Sequence, residues 1–242
     1  IKEIPAGVPF HTRVVVNQAV DKRLDLPARH ADVEVFHRPN TGYNIGAWDH
    51  GWRQGESFPF YLFLQEECII LKPDWIKRFV DATADPAVGL VGESLHAGRP
   101  WEDSRSERMP LCRMLGFPFS DESDFIDKLF KMAEDMGVDP GESNTHLQSL
   151  VLATRREVLE RIDGFPHGAV DYETAICTEI LISKKVATAG WKVEQLDKEP
   201  FSAVLHPQWK QTPISAFRNK MLSVVSRDIR MATYLVWCAL HA

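Results

Sequence analysis

The sequence predicts an α/β fold, with a mostly parallel sheet flanked by helices and a helical tail at the C-terminus. Three observations predict it. Short apolar runs alternate with longer amphipathic stretches, which is the layering of strands and helices. The runs are continuous rather than alternating, as in parallel strands covered on both faces. The chain has 242 residues, 44% of them hydrophobic, enough for one sizeable core.

The first strand falls at residues 13–17 (RVVVN), a β-branched run ending in a polar residue. Residues 33–36 (VEVF) give a second strand and residues 60–64 (FYLFL) a third. Between them, the turn-forming residues 40–46 (NTGYNIG) lead into a short helix over 47–54. Pro73 opens a helix at its first turn, and residues 88–92 (VGLVG) form the strand after it. Residues 96–141 carry little strand signal and much Pro, Arg, Met and Asp, so they are read as a variable insertion. Its one helix, over 124–136, carries an apolar stripe of Phe125, Leu129, Met132 and Met136, the pattern of ordinary core packing. A strand is expected over 147–154, a helix over 155–162 stopped near Gly164, and a helix over 173–189 closed by Gly190. The last strand falls at 192–196, and from Ile214 onward the pattern is helical. No internal repeat or linker divides the chain. One domain is expected over 1–209, followed by an amphipathic helical segment over 210–242.

Lys plus Arg number 28 against 34 Asp plus Glu, a net charge of −6, which disfavours a nucleic-acid binder. The charge is uneven: the segment 210–242 carries a net +4. There Phe217, Met221, Val224, Met231 and Leu235 fall near one face and Arg218, Arg227 and Arg230 elsewhere. Such a helix either lies on an anionic membrane surface or packs against the domain or a partner. The longest apolar run near an end, 231–240, is too short to span a bilayer. The four cysteines lie far apart with no C-x-x-C pair, which fits neither a disulfide framework nor a zinc site and makes a reducing, cytoplasmic compartment the default.

Chemistry concentrates in residues 61–75 (YLFLQEECIILKPDW), where an apolar strand runs into the adjacent carboxylates Glu66 and Glu67. Ligands of open α/β sheets collect beyond the carboxyl ends of strands. Two carboxylates there suit Mg²⁺ or Mn²⁺, hard cations that bridge protein to phosphate oxygens; a solvated acidic turn is the alternative. The two glycines of the 40–46 loop permit close backbone approach to a ligand, although this is not a G-x-G-x-x-G fingerprint.

These residues resemble the GT-A fold of nucleotide-sugar glycosyltransferases, especially the family 2-like enzymes. Gln65-Glu66-Glu67 stands where those enzymes carry an Asp-x-Asp-type motif, with a Pro-x-Trp helix start after it. Residues 38–52 (RPNTGYNIGAWDHGW) resemble the loop and helix before the acidic strand. Residues 150–165 (LVLATRREVLERIDGF) resemble the acceptor-side strand, Arg-rich helix and Gly-Phe turn. Residues 179–193 (EILISKKVATAGWKV) resemble the helix that ends in Ala-Gly before a strand. Together with residues 146–159, they look closer still to the rhamnan-synthesis type of polysaccharide glycosyltransferase. The chain departs from the pattern in three ways: Gln and Glu replace Asp in the acidic motif, Ala47-Trp48 replaces an Arg near the diphosphate, and residues 1–4 fall where the family's first helix would end.

The resemblance implies a nucleotide-diphosphate sugar as donor and a glycan or lipid-linked acceptor, with the enzyme cytoplasmic or at the inner face of the membrane. It implies Glu66 or Glu67, with Glu67 favoured, and the late His206 as metal ligands, and Glu179 as the base that deprotonates the acceptor hydroxyl, with Asp171 and Glu173 as competitors. It places Asn17 and Asp21 at the base or ribose, although both also suit turn capping. Asn40, Gly42, Asn44, Gln65 and Glu66 would line the donor site. Asp49 would hold a sugar hydroxyl or stabilise the first turn of its helix. Trp209, Trp48, Trp52 and Trp101 are candidates to stack on a sugar, with core packing as the alternative. A catalytically silent GT-A-like module that binds glycan or serves as a scaffold is the second reading. A sugar-nucleotide pyrophosphorylase lacks its Gly-rich N-terminal loop here.

Overall fold

The computed structural model describes residues 3–17, 24, 26–102 and 122–207. In chain order the described strands are β1 (Arg13–Asn17), β2 (Glu34–Arg38), β3 (Phe60–Leu64), β4 (Ile69–Ile70) and β5 (Val88–Gly92). They continue with β6 (Leu95–His96), β7 (His146–Leu147), β8 (Val151–Arg155), β9 (Lys192–Gln195) and β10 (Val204–Leu205). The helices are α1 (Tyr43–Arg53), α2 (Trp75–Ala82), α3 (Glu122–Asp135), α4 (Arg156–Arg161) and α5 (Tyr172–Thr188). Asp21, Trp209 and the cationic segment 210–242 lie outside the described residues.

The fold is α/β, and its central sheet is mixed rather than mostly parallel. The strands run in the order β3-β8-β5-β9, with β8 antiparallel to both β3 and β5 and only β5–β9 parallel. The continuous apolar runs report burial on both faces, and burial says nothing about direction. Direction is set by the connection: the chain leaves β5, returns through the short antiparallel pair β6–β7, and enters β8 from the end at which β5 finished. A separate two-stranded parallel sheet, β1–β2, is covered by α1, where Gly51 leaves room for the Val15 side chain.

Two apolar layers enclose the central sheet. On one face Ile45, Trp48 and Trp52 of α1 meet Phe63, Leu152 and Ile182. On the other, Trp75, Ile76 and Phe79 of α2 meet Val91, Val151 and Ala153. Leu152 faces one layer and its two neighbours face the other, so the strand's period of two serves both layers. The insertion helix α3 packs on α5, burying Ile126, Leu129 and Ala133, while Phe125, Met132 and Met136 are only partly covered.

Several element bounds differ from the sequence expectation for local reasons. Helix α1 begins at Tyr43, inside the expected turn, because Gly42 takes the left-handed conformation (φ 74°) and starts the helix from there. Helix α2 starts after Asp74, one residue beyond Pro73. Glu3 and Ile4 stand in a turn, not at the end of a helix.

Candidate functional site

The carboxyl end of β3 and the segment that enters β8 lie side by side, because Gln65 N–H donates to the Leu150 carbonyl at 3.2 Å. One residue further, the backbone of buried Ser149 becomes a meeting point. Its carbonyl accepts the side-chain amides of Asn44, from the first turn of α1, and of Gln65, from the end of β3, both at 2.8 Å. Its N–H and its Oγ both donate to Glu179 Oε2, at 2.7 and 2.5 Å. The other oxygen, Oε1, lies 3.3 Å from His146 Nε2, while His146 Nδ1 lies 2.6 Å from the Asn144 carbonyl. The His96 ring stands 5.1 Å from that of His146. Three segments far apart in sequence thus converge on Ser149.

The electrostatics follow from this geometry. Burial raises the Glu179 carboxyl, but hydrogen bonds from His146 and Ser149 outweigh it and hold the group below the ordinary glutamate value. Burial, helped by the charge of His146, pushes His96 down.

A second cluster joins the ends of β1 and β2 to α1. Asn17 Nδ2 donates to the Tyr43 carbonyl at 2.7 Å, and Arg38 Nη1 donates to Asn17 Oδ1 at 3.3 Å. Arg38 Nη2 also donates to the carbonyl and hydroxyl of Thr41, at 2.8 and 2.6 Å. The glycines of this loop approach the chain itself. A Cβ on Gly42 would lie 2.4 Å from the His167 carbonyl oxygen, and one on Gly46 2.2 Å from that of Thr41. Asn40 is exposed on the turn before Gly42.

Glu66 and Glu67 are exposed on the turn after β3, and the chain then enters β4. Strand β10 pairs with β4 so that Val204 faces Ile70 and Leu205 faces Ile69. Extending that register by one residue sets His206 across from Cys68, beside the two carboxylates. His206 is 2% exposed, and its Nδ1 has no hydrogen-bond partner among the described residues. The segment before it is held by Glu93, whose buried carboxylate accepts the amides of Ser202, Ala203 and Val204 at 2.7, 3.0 and 2.7 Å. Burial raises the Glu93 carboxyl above its usual range, although those three amides and Arg78 oppose the shift. Among the described residues, no three His, Cys, Asp or Glu side chains gather in a group that could hold a metal ion.

Two expected site residues are occupied elsewhere. Asp49 is buried and ties α1 to the Gly-Phe turn: Oδ1 accepts Trp52 Nε1–H at 3.0 Å and Phe165 N–H at 2.9 Å, and Oδ2 accepts Arg53 Nε–H at 2.9 Å. Asp171 caps α5 in a reciprocal box with Thr174, and that bond to the Thr174 amide holds its carboxyl below the ordinary range. Eight residues separate Asp171 from Glu179, about 12 Å along the helix axis, so it stands apart from the Ser149 cluster. Trp48, Trp52 and Trp101 are core residues.

Asn44, Gln65 and Glu179 are therefore brought together, whereas Glu67 is exposed on the turn after β3 and His206 is buried at the end of β10. Sequence reasoning did not single out Ser149, His146, Arg38 or Glu93. The pattern carries no signal for the first three, but a glutamate directly after the apolar strand at 88–92 stands at a strand end, the position that marked Glu66. No family model, curated protein or solved structure matches the chain.

Proposed function

We propose that this chain transfers a sugar from a nucleotide-diphosphate donor to a glycan or lipid-linked acceptor, on a GT-A-like fold, in surface-polysaccharide synthesis. The observation that carries the reading is the convergence of Asn44, Gln65 and Glu179 on Ser149. These three residues come from three separate motifs that resemble the same enzyme family, and they meet beyond the carboxyl end of β3, an edge strand of the central sheet; ligands of α/β folds collect beyond the carboxyl ends of strands. Glu179 is the base. The acceptor oxygen attacks the anomeric carbon as the bond to the diphosphate breaks, the hydroxyl proton passes to the Glu179 carboxylate, and the configuration inverts.

A divalent cation of the Mg²⁺ or Mn²⁺ type would be held by the Glu67 carboxylate and by His206, whose buried Nδ1 has no hydrogen-bond partner among the described residues. When bound there, the cation offsets the charge that develops on the leaving diphosphate. Glu66, Asn17 and Arg38 stand on the turn after β3 and at the ends of β1 and β2, where they would face the nucleotide. Among the described residues no helix is long and apolar enough to cross a membrane. A peripheral membrane contact would therefore fall to the cationic segment 210–242.

Calorimetric titration with UDP, GDP and dTDP, with and without Mn²⁺, tests the proposal. Metal-dependent binding of one nucleotide that disappears in Glu67→Ala supports it. Indifference to all three overturns it in favour of a catalytically silent module. One observation favours that alternative: the amides of Asn44 and Gln65 and the carboxylate of Asp49 already have partners within the chain.

A further inference from the structure

We infer that His146 is a positioning residue that shares one proton with Glu179 and thereby presents Oε1 of that carboxylate as the proton acceptor of the site. The inference starts from hydrogen counting. The Asn144 carbonyl carries no hydrogen, so the 2.6 Å contact with His146 Nδ1 requires the proton on Nδ1. A neutral imidazole protonated there has a bare Nε2. Its 3.3 Å approach to Glu179 Oε1 would set lone pair against lone pair unless one further proton lies between them. One proton therefore lies between the two side chains besides the one on Nδ1, and because the Glu179 carboxyl is held below its ordinary value that proton sits on the imidazole.

The two carboxylate oxygens are not equivalent. Oε2 receives both the N–H and the Oγ–H of Ser149, which uses its two lone pairs. Oε1 receives only the shared proton of His146 and keeps one lone pair. The Glu179 side chain is 22% exposed, whereas that of His146 is 8% exposed. When an acceptor hydroxyl gives up its proton, it passes to Oε1, and the pair moves from neutral to a net +1 as the diphosphate departs with its electrons. His96, whose ring flanks His146, is the other titratable group at the pair, and it is held down by burial and by the neighbouring charge. Lys184, further along α5, donates to the Ser143 carbonyl at 2.7 Å.

The role of Oε1 as acceptor rests on the glycosyltransfer reading, whereas the shared proton does not, and nuclear magnetic resonance of the labelled full chain separates the two. The wild type is expected to show both ring nitrogens of His146 protonated and Glu179 ionised at neutral pH. In Glu179→Gln, His146 should become neutral with the proton on Nδ1. In His146→Leu, the Glu179 carboxyl carbon should titrate at a higher pH than in the wild type. In His146→Gln, which keeps an N–H donor, the titration should return part of the way. A bare Nε2 in the wild type, or a Glu179 titration indifferent to His146→Leu, overturns the inference. Failure of the glycosyltransfer reading appears instead as absent nucleotide binding, with the histidine signals as described.

Discussion

Glu93 Oε1 accepts the amide hydrogen of Val204 at 2.7 Å, although the two residues stand 111 positions apart and both are buried. With the amides of Ser202 and Ala203, this bond fastens the 202–204 segment, two residues before the buried His206, to the end of β5. Glu93→Leu leaves three buried N–H groups without an acceptor, so we expect a loss of about 3–5 kcal/mol in urea unfolding. Glu93→Gln keeps one carbonyl acceptor and should lose less.

Glu179 and Glu93 give opposite pH dependence. Glu179 is held below its ordinary value, so its contribution to stability is present above the unfolded carboxyl value and lost as pH falls through its folded value. Glu93 is pushed above its ordinary value, so its contribution is full below the unfolded value and lost as pH rises through its folded value. Midpoints of thermal unfolding across the acidic range should therefore separate the variants. Glu179→Gln flattens the limb that falls towards low pH, and Glu93→Gln flattens the one that falls with rising pH. Equal profiles for both variants would contradict the assignment.

Asp49 is a structural anchor here. Asp49→Ala removes the acceptor for Phe165 N–H, Trp52 Nε1–H and Arg53 Nε–H, an expected cost of about 2–4 kcal/mol. Gly164→Ala should act on the same joint, since its Cβ would fall 2.1 Å from Asp49 Oδ1 at a backbone φ of 68°. Both effects should be visible in chemical denaturation of the chain without any ligand.

Gly46→Ala tests the joint between the 40–46 loop and the site. The added Cβ meets the Thr41 carbonyl oxygen at 2.2 Å, and this neighbour is backbone that cannot swing away. Displacement of the first turn of α1 should break the bond from Asn44 to Ser149, and overpacking of this kind costs about 1–3 kcal/mol. Amide exchange at residues 149–150 should accelerate in the variant; unchanged protection would show that the loop and the cluster are independent.

Cys68 and Cys177 should resist alkylation near neutral pH in the folded chain, because burial pushes their thiols up to about 11 and about 12, respectively. Rapid modification of either by iodoacetamide would contradict the burial described.

Strands at 13–17, 60–64 and 88–92 were legible because a short apolar run between turn residues has few alternatives, and the structure has them at those bounds. The long helix α5 was legible from its length and its terminal Gly190. The start of α1 was less so, since a left-handed Gly42 can open a helix from within what reads as a turn. Glu179, Asn44 and Gln65 were legible as candidates from motif order. Asp49 and Asp171 were candidates on the same basis, yet a carboxylate's partners are set by what packs against it, and these two have structural ones.

The sequence by itself determined the longer strands and helices and where acidic residues end a strand, because periodicity and turn chemistry are local; the two-residue strands β4, β6, β7 and β10 and the break between β7 and β8 within the expected strand 147–154 appear only in the structure. Only the tertiary structure decided the direction of β8, the choice of Ser149 as the meeting point, the pairing of His146 with Glu179 and the clamp of Glu93 on residues 202–204. Each of these depends on hydrogen bonds between groups about 30 to 110 residues apart, and such bonds are fixed by how the layers stack rather than by any local preference of the chain.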